Sequence, residues 1–176
     1  ETINRYINEV STLAETVRRE TKIQNQLLAS GAFQQAADPK TKFHPPAPQK
    51  PVPHINFAPL LNAGQKLKTA ATRFHQTLAT KKGKLTPAQL NTLNQAIYQT
   101  ERTLITKAGL PRRPWFRHQV YAPGFYTGYG VKTLPGIREA IENHSWKECD
   151  EQIQIVSDTL AGLAKQIEDA TQNINQ

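Results

Sequence analysis

Cysteine, methionine and long apolar runs are scarce or missing from this 176-residue sequence, and so are acidic side chains over its middle. The one cysteine, Cys149, has no internal partner, which excludes a disulfide scaffold. The five histidines are scattered, with no Cys/His spacing that suits zinc. No apolar stretch approaches the ~20 residues that cross a bilayer, and mean hydropathy is −0.59. Methionine is absent even at position 1, and the chain opens directly on helical periodicity without a signal-peptide pattern. The sequence therefore reads as an excised piece of a longer protein, its 176 residues suiting one domain large enough to bury its own core.

The shortage of acid is local. Residues 1–38 carry a net −1, residues 39–138 carry +15 with Glu101 as their single acid, and residues 139–176 carry −6, for a total of +8. Two readings stay open: oppositely charged faces in water, or a basic middle packed against an acidic end. A basic helical nucleic-acid-binding module is the rival class, since aromatics accompany the positive charge.

The pattern of apolar residues is helical almost throughout. Ile3, Ile7, Val10, Ala14 and Val17 step by four and three, which predicts a long first helix that stops near Gly31. Residues 38–59 follow, a proline-rich crossover that reads Pro45-Pro46-Ala47-Pro48-Gln49-Lys50-Pro51-Val52-Pro53 at its densest. Such a segment is extended, as a stiff connection or as a ligand for a proline-recognition domain. Leu60, Gly64, Leu67, Ala71, Phe74 and Leu78 mark the next helix. Thr86-Pro87-Ala88-Gln89 is a capping box with proline at the first helical position, and it opens a third long helix with the stripe Leu90, Leu93, Ile97, Leu104 and Ala108. A short helix from Pro135 to about Asn143 precedes the strongest seam, Trp146, Cys149, Ile153, Val156, Leu160, Leu163, Ile167, Ala170 and Ile174. The expected fold class is all-α: an antiparallel bundle of four long helices plus a short one, with no credible strand pair. Cys149, inside the seam, reads as a buried small side chain rather than a nucleophile.

Residues 109–136 lose the helical period, and a connection of this length inside a compact domain tends to be functional. Six of the chain's thirteen aromatics lie there with Arg112, Arg113, Arg117, His118 and Lys132, and there is no acid among them. Cations beside tyrosines suit a carboxylate-bearing ligand, while the same aromatics would also pin a loop to the bundle.

The run Gly109-Leu110-Pro111, Arg113-Pro114, Arg117-His118, Tyr121-Ala122-Pro123, Tyr129 and Pro135-Gly136-Ile137 closely resembles the C-terminal domain of the glutamate carboxypeptidase II and transferrin receptor family. The resemblance implies a helical dimerisation domain that packs on its own peptidase domain and on a partner subunit. Two zinc ions would then lie in that separate domain, and the fragment itself would hold no catalytic residue and no metal ligand. It further implies a loop that reaches over the active site and binds the C-terminal carboxylate of a peptide through a Lys-Tyr pair. Tyr129 falls on that tyrosine, the lysine position is Gly128, and Lys132 is the nearest candidate cation. Arg113, Arg117, His118 and Tyr121 are expected to serve loop architecture or the subunit contact. An extracytoplasmic location is what the family suggests.

Overall fold

The computed structural model describes residues 1–40 and 42–175. In chain order these form α1 (Thr2–Ala29), α2 (Ala32–Ala36), α3 (Ala58–Lys81), α4 (Pro87–Tyr98), α5 (Thr100–Thr103), β1 (Tyr121–Pro123), β2 (Val131–Thr133), α6 (Pro135–Glu142) and α7 (Trp146–Asn175). The fold is helical, as its periodicity dictates. In α7 the seam from Cys149 through Ile153, Val156, Leu160 and Leu163 to Ala170 and Ile174 is buried, and at 1.5 Å per residue the 30-residue helix runs roughly 45 Å. Its main neighbour is α3, and α1 and α6 complete the core through Ile7, Val10, Ala14, Ile137 and Ile141. Gly64 lets α1 approach α3, since a Cβ there would lie 2.7 Å from Ile7 Cδ1. Helix α1 ends as expected, with Gly31 at φ +73° just beyond it.

The crossover shows why it is proline-rich. Gln49 is half-buried and Val52 and Ile55 are buried, while their neighbours stay exposed. This three-residue period is that of a polyproline II helix laid along α1. The Asn25 amide fixes its register, donating to Gln49 O at 2.7 Å and accepting from Gln49 N–H at 3.0 Å. Arg18 Nη2 donates to Pro53 O at 2.7 Å.

Two features depart from expectation. The third long helix is a 12-residue helix followed by a four-residue turn, so three helices reach full length and Leu104 and Ala108 lie outside α4. Its capping box forms as predicted. The backbone beyond it is taken by another partner: Thr106 N–H donates to Arg117 O at 3.0 Å and Gln119 N–H to Leu104 O at 2.9 Å. The Thr100 hydroxyl, turned back onto Ile97 O at 2.7 Å, competes for a helical carbonyl at the break. The second departure is a strand pair. β1 and β2 are antiparallel with Tyr121 opposite Thr133, Ala122 opposite Lys132 and Pro123 opposite Val131.

No helix among the described residues is long and apolar enough to cross a membrane.

Candidate functional site

The segment between α5 and α6 is an ordered two-tiered loop. Its first tier closes on a tight turn: Leu110 N–H donates to Phe116 O at 2.8 Å and Phe116 N–H to Arg113 O at 3.0 Å. Gly109 has φ +68°, and a Cβ on it would lie 2.3 Å from Pro114 O, so only glycine closes this turn without strain. The turn drives Arg113 inward until 2% of its side chain is exposed. There its guanidinium grips Glu139 of α6 in a fork, Nη1 to Oε2 at 2.8 Å and Nη2 to Oε1 at 3.0 Å. Glu139 Oε1 also accepts from Phe125 N–H at 2.8 Å. One buried carboxylate thus ties the first tier, the second tier and α6 together, with Phe116 and Phe125 near the guanidinium at 5.9 and 5.7 Å.

The remaining cations of the loop are mostly paired with the acidic end of the chain. Arg112 bonds both oxygens of Glu148 at 2.7 and 3.0 Å, a pairing that raises the pKa of its guanidinium chiefly through the hydrogen bond. Lys132 pairs with Glu142 of α6. Three of the four Lys and Arg residues between 109 and 136 are therefore neutralised by carboxylates from residues 139–148. A basic middle packed against an acidic end is what this loop uses its charge for, and the nucleic-acid reading loses its strongest feature. Arg117 is the exception. It is exposed, and its side chain has no hydrogen-bond or ion-pair partner among the described residues.

His118 is fixed in one tautomer by its neighbours. Its Nδ1 accepts from Val120 N–H at 3.2 Å and Tyr121 N–H at 3.1 Å, so the proton sits on Nε2 and is donated to Glu101 at 3.2 Å. The ring lies 4.0 Å from that of Tyr121. Glu101, the lone acid of the basic middle, is thus spent on orienting a histidine three residues before β1. The contacts of His118 with Glu101 and Tyr121, like those of Arg113 with Glu139, lie within the chain.

The second tier ends in an exposed tip. Gly124 N–H donates to Gly130 O at 2.9 Å, Gly130 N–H to Thr127 O at 3.1 Å, and the Thr127 hydroxyl to Gly130 O at 2.9 Å. This small closed turn holds Tyr126 76% exposed and Tyr129 fully exposed. Gly128 has φ +58° with nothing within 4 Å of a Cβ on it. Tyr129 and Lys132 are not brought together as a free pair, because the ammonium of Lys132 is held at the base of the hairpin by Glu142.

The carboxylates of Glu139, Glu142 and Glu148 are the residues that sequence reasoning missed. A signal existed: Glu139 and Glu142 are three apart on a short helix next to a loop rich in unmatched cations. Among the described residues no group of three His, Cys, Asp or Glu side chains is placed to hold a metal ion.

Cys149 lies buried against the core, where desolvation first, then the charges of Asp150 and Glu148, push its thiol from 9.0 up to about 12. The thiolate is the reactive form, so a thiol reagent at pH 8 is expected to label the native protein at least a hundredfold more slowly than the protein in denaturant. Equal rates would show that the seam is open. Because the folded pKa is raised, the stability this protonated thiol contributes is fully present below pH 9 and is lost as pH rises toward 12.

Residues 55–168 match the family described as transferrin receptor-like dimerisation domain. The chain is 33% identical over 111 residues to a probable glutamate carboxypeptidase of Arabidopsis thaliana, a stretch covering 59% of this chain and 16% of that protein. It is 32% identical over 87 residues, 48% of this chain and 12% of the relative, to a probable glutamate carboxypeptidase of Arthroderma benhamiae. It is 26% identical over 127 residues to an aminopeptidase of Rattus norvegicus, covering 67% of this chain and 17% of that one. The chain thus spans less than a fifth of the length of each of these relatives.

Proposed function

The chain belongs to the family of transferrin receptor-like dimerisation domains, and from that premise we propose that residues 1–176 are a single helical dimerisation domain of a glutamate carboxypeptidase-like hydrolase. In this reading it joins two copies of the parent chain, rests on the parent's peptidase domain, and lays the tip of its loop over the substrate pocket. Catalysis and two zinc ions belong to the peptidase domain, and the parent works outside the cytoplasm. The relatives' names, carboxypeptidase and aminopeptidase, support a hydrolytic parent.

The observation that carries the lid reading is the contrast within the loop. Its base is locked to α6 and α7 by Arg113, Arg112 and Lys132, while its tip holds Tyr129 wholly in solvent on a short hydrogen-bonded turn. A rigid stalk that presents an unburied tyrosine fits a contact with something outside the chain. The phenol supplies a hydroxyl donor for the C-terminal carboxylate of a peptide. Gly128 supplies no ammonium beside it, and Lys132 reaches a substrate carboxylate only by giving up Glu142. Arg117, exposed and unpaired, remains free for the peptidase domain or the partner subunit.

In the full-length enzyme, Tyr129→Phe is expected to raise KM for peptides with a free C-terminal carboxylate roughly tenfold or more, the value of one hydrogen bond to a charged group. Peptides amidated at the C-terminus are expected to show no change. Steady-state kinetics on the two substrate sets decides the matter, and an unchanged KM for the free acids removes Tyr129 from the pocket.

A further inference from the structure

Helix α4 carries an apolar stripe that the chain does not bury. Leu90, Leu93 and Ile97 share one face at i, i+3 and i+7, yet only Leu93 is buried. Leu90 is 44% exposed, Ile97 49%, and Tyr98 beside it 70%. The helix begins on a complete capping box, so its position is well defined, and within the chain it packs on α7 and α5. Beside the stripe, α3, α4 and α7 leave a groove of about 160 Å³ walled by Ala71, Phe74, Ala96, Ile97, Ile167 and Ala170. Three polar side chains reach its edge: His75, whose ring lies edge-on to that of Phe74, and Gln166 and Thr100, which are already bonded within the chain. Gln166 donates to Ala96 O at 2.8 Å and accepts from the Thr103 hydroxyl, and the Thr100 hydroxyl is turned onto Ile97 O. What the groove offers a visitor is apolar surface.

We infer that the α4 stripe and this groove form the face on which a second copy of the chain docks. The inference rests on the dimerisation reading above and names its surface. A two-fold contact sets a patch against itself, so the patch must contain its own complement. Here a ridge made by Leu90, Ile97 and Tyr98 stands next to a hollow of matching chemistry, and a rotation about an axis between them places each ridge in the other copy's hollow. The flanks carry both signs: Arg73 and Glu168 border an adjoining cleft, and Arg102 lies over the ring of Tyr98 at 5.4 Å. A two-fold can therefore oppose unlike charges at the rim. The other exposed apolar residues fit a second copy less well. Ile23 and Leu27 of α1 are exposed on the helix that the crossover covers, beside a groove lined by Arg18, Lys22 and Asn25, and the tyrosines of the loop tip project singly from a turn.

The test is sedimentation velocity on the full chain over a wide concentration range. The unmodified protein is expected at the mass of two chains. Ile97→Arg and, independently, Leu90→Lys are each expected to shift it to the mass of one chain, raising the dimer dissociation constant at least a hundredfold. Both side chains are half-exposed, so thermal melting of the separated chains is expected to show an intact fold. Ile23→Arg on α1 is expected to leave the dimer unchanged. A dimer that survives both α4 substitutions, or one that Ile23→Arg dissolves, overturns this surface and leaves dimerisation itself standing. A protein that sediments as one chain at every concentration overturns both.

Discussion

Arg113→Met is expected to destabilise the protein by about 3–5 kcal/mol, because it leaves Glu139 ionised and buried without its partner. The Glu139 side chain is 4% exposed, and after the substitution it keeps only the Phe125 N–H as a donor among the described residues. The volume of methionine is close enough to that of arginine for the loss to be electrostatic rather than a cavity. The double substitution Arg113→Met with Glu139→Gln removes both charges, and it is expected to recover at least half of the loss, since a matched neutral pair no longer carries an unpaired ion. Urea unfolding with the four proteins of the cycle measures this as a shift in midpoint at constant slope. A cost under 1 kcal/mol for the single substitution would show that water reaches the pair and that it does not clamp the loop.

Gly109→Ala is expected to cost about 3 kcal/mol, through two separable terms. An L-residue held at φ +68° costs about 1–2 kcal/mol. The added methyl would also sit 2.3 Å from Pro114 O and 2.7 Å from Pro114 Cα, backbone atoms that cannot swing aside as a side-chain end does. Overpacking of this kind adds about 1–3 kcal/mol. Gly128→Ala isolates the first term, since its φ of +58° is similar and nothing lies within 4 Å of the new methyl. Hydrogen exchange distinguishes local from global loss: the amides of Leu110 and Phe116 are expected to lose protection in Gly109→Ala while those of the α7 core keep theirs. Equal costs at positions 109 and 128 would contradict the close approach of the turn to Pro114.

How far the residues announce this structure depends on whether the information is periodic. The α7 seam is legible because its apolar residues from Cys149 to Ile174, all buried but the half-buried Ile167, recur at three or four residues, and the start of α4 is legible because Thr86, Pro87 and Gln89 make a local hydrogen-bonded unit. The end of α4 is not legible from Leu104 and Ala108, which keep the helical spacing although the backbone at 104–106 pairs with 117–119 instead. That choice is made by partners a dozen residues away, which no local window contains. The hairpin is hidden for a similar reason: each strand is three residues long, too short for an alternating pattern to declare itself. The loop's role as a candidate site is visible in its cations, aromatics and resemblance to a family, but not the division of labour within it. Arg113 and Tyr129 look alike as functional residues in a sequence, and only burial separates the clamp from the exposed tip. Charge segregation between the middle and the end of the chain left open whether the two attract, and the pairs of Arg112, Arg113 and Lys132 with Glu148, Glu139 and Glu142 show that in the loop they do.

The central claim is that this domain holds two copies of its parent chain together. Light scattering coupled to size-exclusion chromatography, run on the full-length protein from nanomolar to micromolar concentration, tests it directly. A molar mass of two chains is expected at the upper end of the range, and the mass of a single chain at every concentration would contradict dimerisation.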